Sequence, residues 1–257
     1  MQNLKRSLIA VLATFGAGIL GMTLAWLVPA QHLTEARGAL GAIVGLVTLL
    51  LALVLGLLIW TAFGVYTTQR SQAQALGPII IECDVSLEDY GPEALEGRKQ
   101  LRAALARSRA RFFGDSSRIP PPWTFDETRG TLGGMNRYFD GLRPTNDMQK
   151  SHLANARALA NKYTQIQMEM ARQLINPVPH FLLVIVVCWS VLIFLGNGLV
   201  SNLNPVTVGG NLAGALAIAS SIFLILELSE PYSGIFRLSS AGIDGLQKAL
   251  DAALPKT

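Results

Sequence analysis

Two glutamates near the carboxyl end of the chain have the residue type and the setting of a cation site. Glu227 and Glu230 follow a long apolar stretch, and Pro231, Tyr232 and Gly234 come directly after them. Carboxylates beside a tight Pro/Gly turn suit a hard cation such as Ca²⁺. The pair is therefore a candidate cation-binding or gating site. The simpler interpretation is that these acids end a helix at a membrane surface.

A second chemically capable group is basic. Its side chains could attract an anion or bind anionic lipid, or they could form the solvated face of an amphipathic helix near a membrane. Nucleic acid is the weakest alternative, because the net charge of the whole chain is only +4. We therefore expect no nucleic-acid partner. The group consists of Arg98, Lys99, Arg102, Arg107, Arg109 and Arg111.

Other chemical motifs are sparse. His180 begins an apolar stretch, where it could tune a pore by pH or make an interfacial hydrogen bond. Residues 16–21 match G-x-G-x-x-G by letter, but no strand is predicted before them, and small residues at this spacing favour close helix contacts. Cys83 and Cys188 have no nearby ligand histidines. With no Ser-His-Asp, Walker or zincin pattern, we expect neither an enzyme nor a cofactor.

The distribution of charge predicts the elements that position these residues. The 257 residues include 21 Lys+Arg and 17 Asp+Glu, yet segments 7–34, 38–69 and 173–226 contain none of them. A helix rises about 1.5 Å per residue and crosses a bilayer core with roughly 20 apolar residues. One span is therefore predicted in each of the first two segments and two in the third, which excludes a soluble enzyme. The predicted spans are 7–28, 39–63, 180–198 and 207–228.

The positive residues predict the orientation of these spans. Lys and Arg concentrate in cytoplasmic loops, and Arg37 is the exception, in an outer loop predicted at 29–38. Both termini and the long middle segment are therefore expected in the cytoplasm. The span centres carry no ionisable residue, which argues against a proton-coupled pump. A channel and a non-conducting scaffold remain as the two hypotheses.

The middle segment is predicted to be helical. One helix is expected from Glu93 to about Phe113, with acids in its first turns and arginines in its last. A longer helix is expected from Thr145 to about Ile175, and the prolines within 115–129 predict a stiff loop between the two. The fold class is thus an all-α integral membrane protein with four transmembrane helices and a helical cytoplasmic region between spans 2 and 3. Its predicted parts are 1–69, 70–178, 179–228 and 229–257.

Five separated motifs occur in order along most of the chain. They are VTL to VLGLLI at 47–59 with Gln69, DYGPE at 89–93, LRP at 142–144, PHFL at 179–182 with Trp189 and Phe194, and IFLILELSEPYSG at 222–234. Together they resemble the bacterial bestrophin-like domain family. The similarity of that family to bestrophins implies an oligomeric, usually pentameric, anion channel. Bestrophins have two spans, a helical cytoplasmic region, two further spans and a cytoplasmic tail.

The resemblance implies a homo-oligomeric channel of the bacterial inner membrane, with a pore lined by uncharged residues of span 2. Thr48, Thr61 and Phe63 are the candidate lining residues, with His180 at the mouth. Bestrophins carry an acidic calcium clasp after the fourth span; residues 230–234 look similar, but the run of consecutive acids is missing, which argues against calcium dependence. The alternative is a non-conducting scaffold or accessory subunit whose cytoplasmic helices dock a protein partner. Membrane lipid is a partner in both cases.

Overall fold

Helices form the regular structure of the chain, which a computed structural model describes over residues 2–27, 30–114, 125–175 and 179–253. These residues contain eight α-helices, a 3-10 turn at Pro92–Ala94 and no strand. The helices are α1 (Gln2–Leu24), α2 (Ala30–Tyr90), α3 (Leu95–Phe113), α4 (Phe125–Gly141), α5 (Asp147–Gln173), α6 (His180–Val200), α7 (Pro205–Ser229) and α8 (Ala241–Ala252).

Four of the helices are long and apolar enough to cross a membrane. The all-α membrane fold with four spans is therefore confirmed. Between α6 and α7 the side chain of Asn204 accepts a hydrogen bond from the Thr207 N–H at 2.8 Å, which satisfies a donor that the first turn of α7 leaves open. The spans lie within Asn3–Leu24, Arg37–Tyr90, Phe181–Val200 and Pro205–Ser229.

The chain forms two compact units. Met1–Gly64 and Pro177–Ser229 make up the first, which we call the membrane unit. Val65–Asn176 and Glu230–Thr257 make up the second, which we call the charged unit. Helix α2 contributes residues to both units, and each unit has its own buried side chains.

Glycines allow close helix packing in the membrane unit. A Cβ added to Gly21 would lie 2.3 Å from the Leu195 carbonyl oxygen, and one added to Gly198 would lie 2.3 Å from the Gly18 carbonyl oxygen. No side chain fits at either position, so α1 and α6 meet through their backbones. The interpretation of residues 16–21 as a helix-packing motif is confirmed for Gly18 and Gly21.

The charged unit contains both helices predicted in the middle segment. Helix α5 begins after Asn146, whose side chain accepts a hydrogen bond from the Gln149 N–H at 2.8 Å and caps the first turn. Helix α3 follows the 3-10 turn and ends at Phe113, as predicted. Each buries one stripe in a shared apolar core: Leu101, Leu105 and Phe112 from α3, and Ala156, Ala160, Tyr163, Met170 and Leu174 from α5 and the residue after it.

Helix α2 is much longer than the predicted second span. The predicted span ends at residue 63, whereas the helix that contains it continues without a break to Tyr90, with Pro78 inside it. Beyond Arg70 the helix is amphipathic: Leu76, Ile80 and Leu87 repeat at helical spacing and are buried in the core of the charged unit. Packing of this stripe stabilises the helix after the uncharged segment ends. The predicted outer loop at 29–38 is likewise helical from residue 30 onward.

Helices α4 and α8 were not predicted from the sequence. The proline-rich segment 115–124 lies outside the described residues, but 125–129, predicted as part of the same loop, are the first turn of α4. The acids Asp126 and Glu127 in that turn favour a helix start. Helix α8 buries Ile243, Leu246 and Leu250 on one side, a spacing of three and four residues that short amphipathic helices share.

Candidate functional site

Within the membrane unit, helix α2 is little buried by the rest of its own chain. From Arg37 to Gly64, Leu51, Leu58 and Ala62 are the buried side chains, and they follow one stripe at a spacing of seven and four residues. This stripe is the side on which α2 packs within the chain. From residue 38 to 64 the remaining surface is uncharged and mostly exposed, so that two further faces of the helix are available for lipid, water or another protein chain.

One exposed face carries small residues and the other carries large apolar ones. A helix turns about 100° per residue, so the centre of the small face lies roughly 100° around the axis from the buried stripe. Its members are Gly41, Gly45, Thr48, Ala52 and Gly56, and a Cβ added to any of these glycines would have no neighbour within 4 Å. The large face, beyond the small one, presents Ile43, Leu46, Leu50, Leu53, Leu57 and Trp60 to the surroundings.

The candidate pore residues of α2 do not share one face. Thr48 lies on the small face. Around the helix axis, Phe63 is about 60° from Thr48, whereas Thr61 is about 140° from Thr48. Both threonine hydroxyls donate to backbone carbonyls one turn earlier, at 2.7 Å for Thr48 and 2.8 Å for Thr61. Their hydroxyl protons are thus satisfied within the helix. The backbone of His180 begins α6, but its side chain lies outside the described part of the chain.

The two candidate cation ligands belong to different units. Glu227 is buried near the end of α7 in the membrane unit, and Asn3 donates its side-chain N–H to it at 3.4 Å. Glu230 begins the turn that follows, in the charged unit, and accepts a hydrogen bond from the Ser233 hydroxyl at 3.0 Å. Gly234 closes this turn with φ of 78°, a conformation that favours glycine. Among the described residues, no three His, Cys, Asp or Glu side chains are grouped closely enough to hold a metal ion.

The same turn places Tyr232 in a buried polar network. Its hydroxyl donates to Gln69 Oε1 at 2.8 Å, and Gln69 Nε2 donates to the Met170 carbonyl oxygen at 3.0 Å and to Gln173 Oε1 at 3.1 Å. The Tyr232 ring also packs edge-on against Phe113, with 5.2 Å between centroids. Burial raises the pKa of the Tyr232 phenol, which therefore remains a neutral donor. Nothing in the sequence alone pairs Gln69 with residue 232, which is 163 positions later.

Substitution Tyr232→Phe is expected to destabilise the charged unit by about 1–3 kcal/mol, because it leaves the buried Gln69 Oε1 without its donor. Chemical denaturation of the reconstituted protein measures this loss. Tyr66→Phe removes a hydroxyl from a partly exposed residue and serves as the control. Equal stability of the two variants would contradict the importance of the network.

The six basic residues divide into three kinds. Arg98 and Arg102 are buried: Arg98 contacts the Asp84 carboxylate through two nitrogens, at 3.0 and 2.8 Å, and Arg102 Nε donates to the Leu250 carbonyl oxygen at 3.0 Å. Asp84 raises the pKa of Arg98 by accepting its hydrogen bonds. The other four differ in exposure: Arg109 is bridged to Asp244, Arg111 is mostly buried and lies 3.7 Å from Glu127, and Lys99 and Arg107 are exposed.

The Arg109–Asp244 pair links α3 to α8 and predicts a pH effect. The Arg109 side chain lowers the pKa of Asp244 below its ordinary 3.8. Because the pKa of Asp244 is lower in the folded state, its ionised carboxylate stabilises the fold above pH 3.8. This stabilisation is lost as the pH falls through the folded-state pKa. The melting temperature of the wild type should therefore exceed that of Asp244→Asn at pH 6, and the gap should close below pH 3.8. A gap that is constant across this range would exclude the ionised pair as its source.

Comparison with known proteins adds a family to this geometry. The model of the Bestrophin-like domain matches residues 11–243, which is nearly the whole chain. No curated protein and no solved structure matches. The matched region contains the whole of α2 through α7 and therefore every candidate residue discussed above. The chain belongs to the bestrophin-like family of membrane proteins.

Proposed function

We propose that the protein is a homo-oligomeric ion channel that conducts anions through a pore lined by the second span. The observation that carries this proposal is the uncovered surface of α2 in the membrane unit, where the small face and the large face are both exposed. If α2 were only a membrane anchor, a single apolar surface toward lipid would be enough. Two chemically distinct exposed faces suit a helix that meets both a pore and a neighbouring subunit or lipid.

In this arrangement the small face lines the pore. Gly41, Gly45, Ala52 and Gly56 add almost no side-chain volume, so copies of α2 surrounding an axis would leave an open, uncharged passage. Phe63, which is large and half exposed, would narrow the passage at its end as a hydrophobic constriction. The large face would contact lipid or the next subunit. Thr61 would then lie away from the pore, and Thr48 within it.

Charge supports anions as the permeant species. The chain has a net charge of +4, and Arg70 is the first charged residue after the uncharged segment 38–69. A positive side chain at a pore mouth raises the local concentration of anions. Arg70→Glu is therefore expected to reduce the preference for chloride over potassium, and Arg143→Glu serves as the control for an equal change in net charge. Equal reversal potentials in the two variants would exclude a role of Arg70 in selectivity.

We also propose how the protein is oriented in the membrane, how many chains assemble and which membrane contains it. The Lys and Arg distribution supports cytoplasmic termini and a cytoplasmic charged unit in a bacterial inner membrane. Resemblance to bestrophins supports a pentamer. We propose no bound cofactor, and calcium is disfavoured because the candidate clasp has few acids.

The alternative is a non-conducting scaffold that docks a protein partner. Ile235 and Phe236 favour it, since both apolar side chains are exposed in the turn after Gly234. Mass measurement of the protein extracted in native membrane patches, followed by imaging of single particles, separates the two proposals. A symmetric ring of identical chains around a central passage supports the channel. A monomer, or a fixed complex with an unrelated chain and no central passage, supports the scaffold.

A further inference from the structure

A cavity in the charged unit has the dimensions of a ligand site. It lies between α3, α4, α5 and the end of α2, and its volume is about 580 Å³. Binding sites for small molecules typically enclose about 300–1,000 Å³, with mostly apolar walls and a few polar groups. The walls here fit that description, because Leu87, Leu101, Met135, Phe139 and Ala160 line the cavity.

The cavity is elongated, and among its described lining residues the two ends differ in charge. At one end the Gly97 N–H donates to the Tyr138 hydroxyl at 2.8 Å, beside the apolar wall. At the other end Arg111 Nη2 lies 3.7 Å from a carboxylate oxygen of Glu127. Gly97 and Arg111 both line the cavity and are separated by roughly 21 Å along α3. A ligand that fills the cavity must therefore be long, with an apolar body and one charged end.

The polar end has an organised set of hydrogen bonds. Ser108 donates to the Ala104 carbonyl oxygen at 2.8 Å and accepts from the Tyr163 hydroxyl, 2.7 Å away, and from the Gln167 amide. Burial raises the pKa of Tyr163 to about 12, so the phenol stays protonated and keeps this arrangement at neutral pH. The hydroxyl protons of Ser108 and Tyr163 are thus already engaged. The positively charged side chains that line the cavity are those of Arg107 and Arg111.

The lining charges indicate the charge of the ligand. Arg107 and Arg111 are positive and Glu127 is negative, so the lining residues that the structure describes carry one net positive charge. A monoanion would balance this charge, whereas a polyanion would leave an excess and a cation would add to the imbalance. Arginine also favours carboxylates, because its planar donors match two oxygens at once.

We propose that this cavity binds a single-chain amphiphile with one carboxylate, such as a fatty acid. Its carboxylate lies toward Arg107 and Arg111, and its chain extends along α3 toward Leu101 and Phe139. The site is separate from the proposed pore helix faces, and binding requires no conduction. Its occupancy would hold α3, α4 and α5 together around one apolar body.

Photolabelling tests the proposal directly. The full-length protein in lipid nanodiscs is irradiated with dodecanoic acid that carries a diazirine at its terminal carbon, and the labelled peptides are identified by mass spectrometry. Labels are expected near Leu87, Leu101 and residues 135–139. Unlabelled dodecanoate should compete about tenfold better than dodecan-1-ol, because the alcohol lacks the charge-assisted hydrogen bonds.

Variants distinguish the cavity from the bilayer. Labelling at the cavity should fall about tenfold in Arg107→Gln/Arg111→Gln, which loses charge-assisted hydrogen bonds, and should persist in Lys99→Gln, which removes one charge from α3 outside the cavity. Ala104→Phe, which fills the cavity and keeps both arginines, should abolish it. Labels confined to α1, α6 and α7 would show partition into lipid and overturn the proposal. Equal competition by the acid and the alcohol would also overturn it.

Discussion

Replacing Asp84 by alanine is expected to destabilise the charged unit by about 3–5 kcal/mol, the typical cost of removing one partner from a buried ion pair. Asp84 is 4% exposed, and its carboxylate meets Arg98 at 2.8 Å and Arg102 at 3.4 Å. Without the carboxylate, two buried guanidinium groups would lose their nearest negative charge. Only the more exposed Glu88 carboxylate, 2.9 Å from Arg98, would remain beside them, so desolvation of these cations would be less well compensated.

The melting temperature of the reconstituted protein measures this effect. For a chain of this size we expect a decrease of roughly 10 °C in Asp84→Ala. Asp89→Ala removes a more exposed carboxylate from the same helix and should shift the melting temperature far less. The variant Asp84→Leu/Arg98→Met/Arg102→Leu, which replaces the whole charged group with apolar side chains, should recover much of the loss. If Asp84→Ala and Asp89→Ala have the same melting temperature, the buried ion pair does not stabilise the unit.

Enlarging one side chain of the small face is expected to reduce anion conductance on the order of tenfold, because a larger side chain in every subunit narrows the shared pore. Ala52→Leu is the informative variant, since Ala52 is exposed in the middle of the face. At Gly45 and Gly56, on the same face, an added Cβ would have no neighbour within 4 Å. A larger side chain at position 52 should therefore displace nothing within its own chain. The fold of the subunit should therefore be retained.

A substitution on the large face provides the matched control. Leu53→Phe adds bulk one residue later on a side chain that is also exposed. Single-channel recording of both variants in planar bilayers should show a small conductance for Ala52→Leu and a nearly unchanged one for Leu53→Phe. The reverse pattern would place the large face in the pore. Equal conductance in both variants would separate α2 from the permeation pathway.

The membrane spans could be predicted because a hydrocarbon core tolerates few charges. Segments 7–34, 38–69 and 173–226 differ from the rest of the chain in this one property, and each of the four spanning helices overlaps one of them. The length of α2 could not be predicted in the same way. Beyond Arg70 the helix depends on packing of Leu76, Ile80 and Leu87 against helices distant in sequence.

The roles of individual arginines were equally hidden in the sequence. Arg98 and Lys99 are adjacent, yet one is buried against Asp84 and the other is exposed, because a helix turns them to different sides. Arg98 and Arg102 share a side at a spacing of four, but their partners Asp84 and Leu250 lie 14 and 148 residues away. Periodicity therefore indicated the helix, while the partners required the tertiary structure.

The division of α2 into a small and a large face was present in the sequence but needed the structure to interpret it. Periodicity alone does not show which side of a wholly apolar helix packs against its own subunit. Once Leu51, Leu58 and Ala62 are known to be buried, the small face becomes a separate exposed surface. This assignment moves Thr61 away from the proposed pore and keeps Thr48 in it.

Ion conduction by the purified protein in a planar bilayer tests the proposed function most directly. With a KCl gradient across the membrane, we predict discrete current steps whose reversal potential lies near the chloride equilibrium potential. The steps should shrink when Ala52→Leu replaces the wild type. Absence of conductance in chloride salts over a range of pH and calcium concentration, or a reversal potential near that of potassium, would contradict an anion channel.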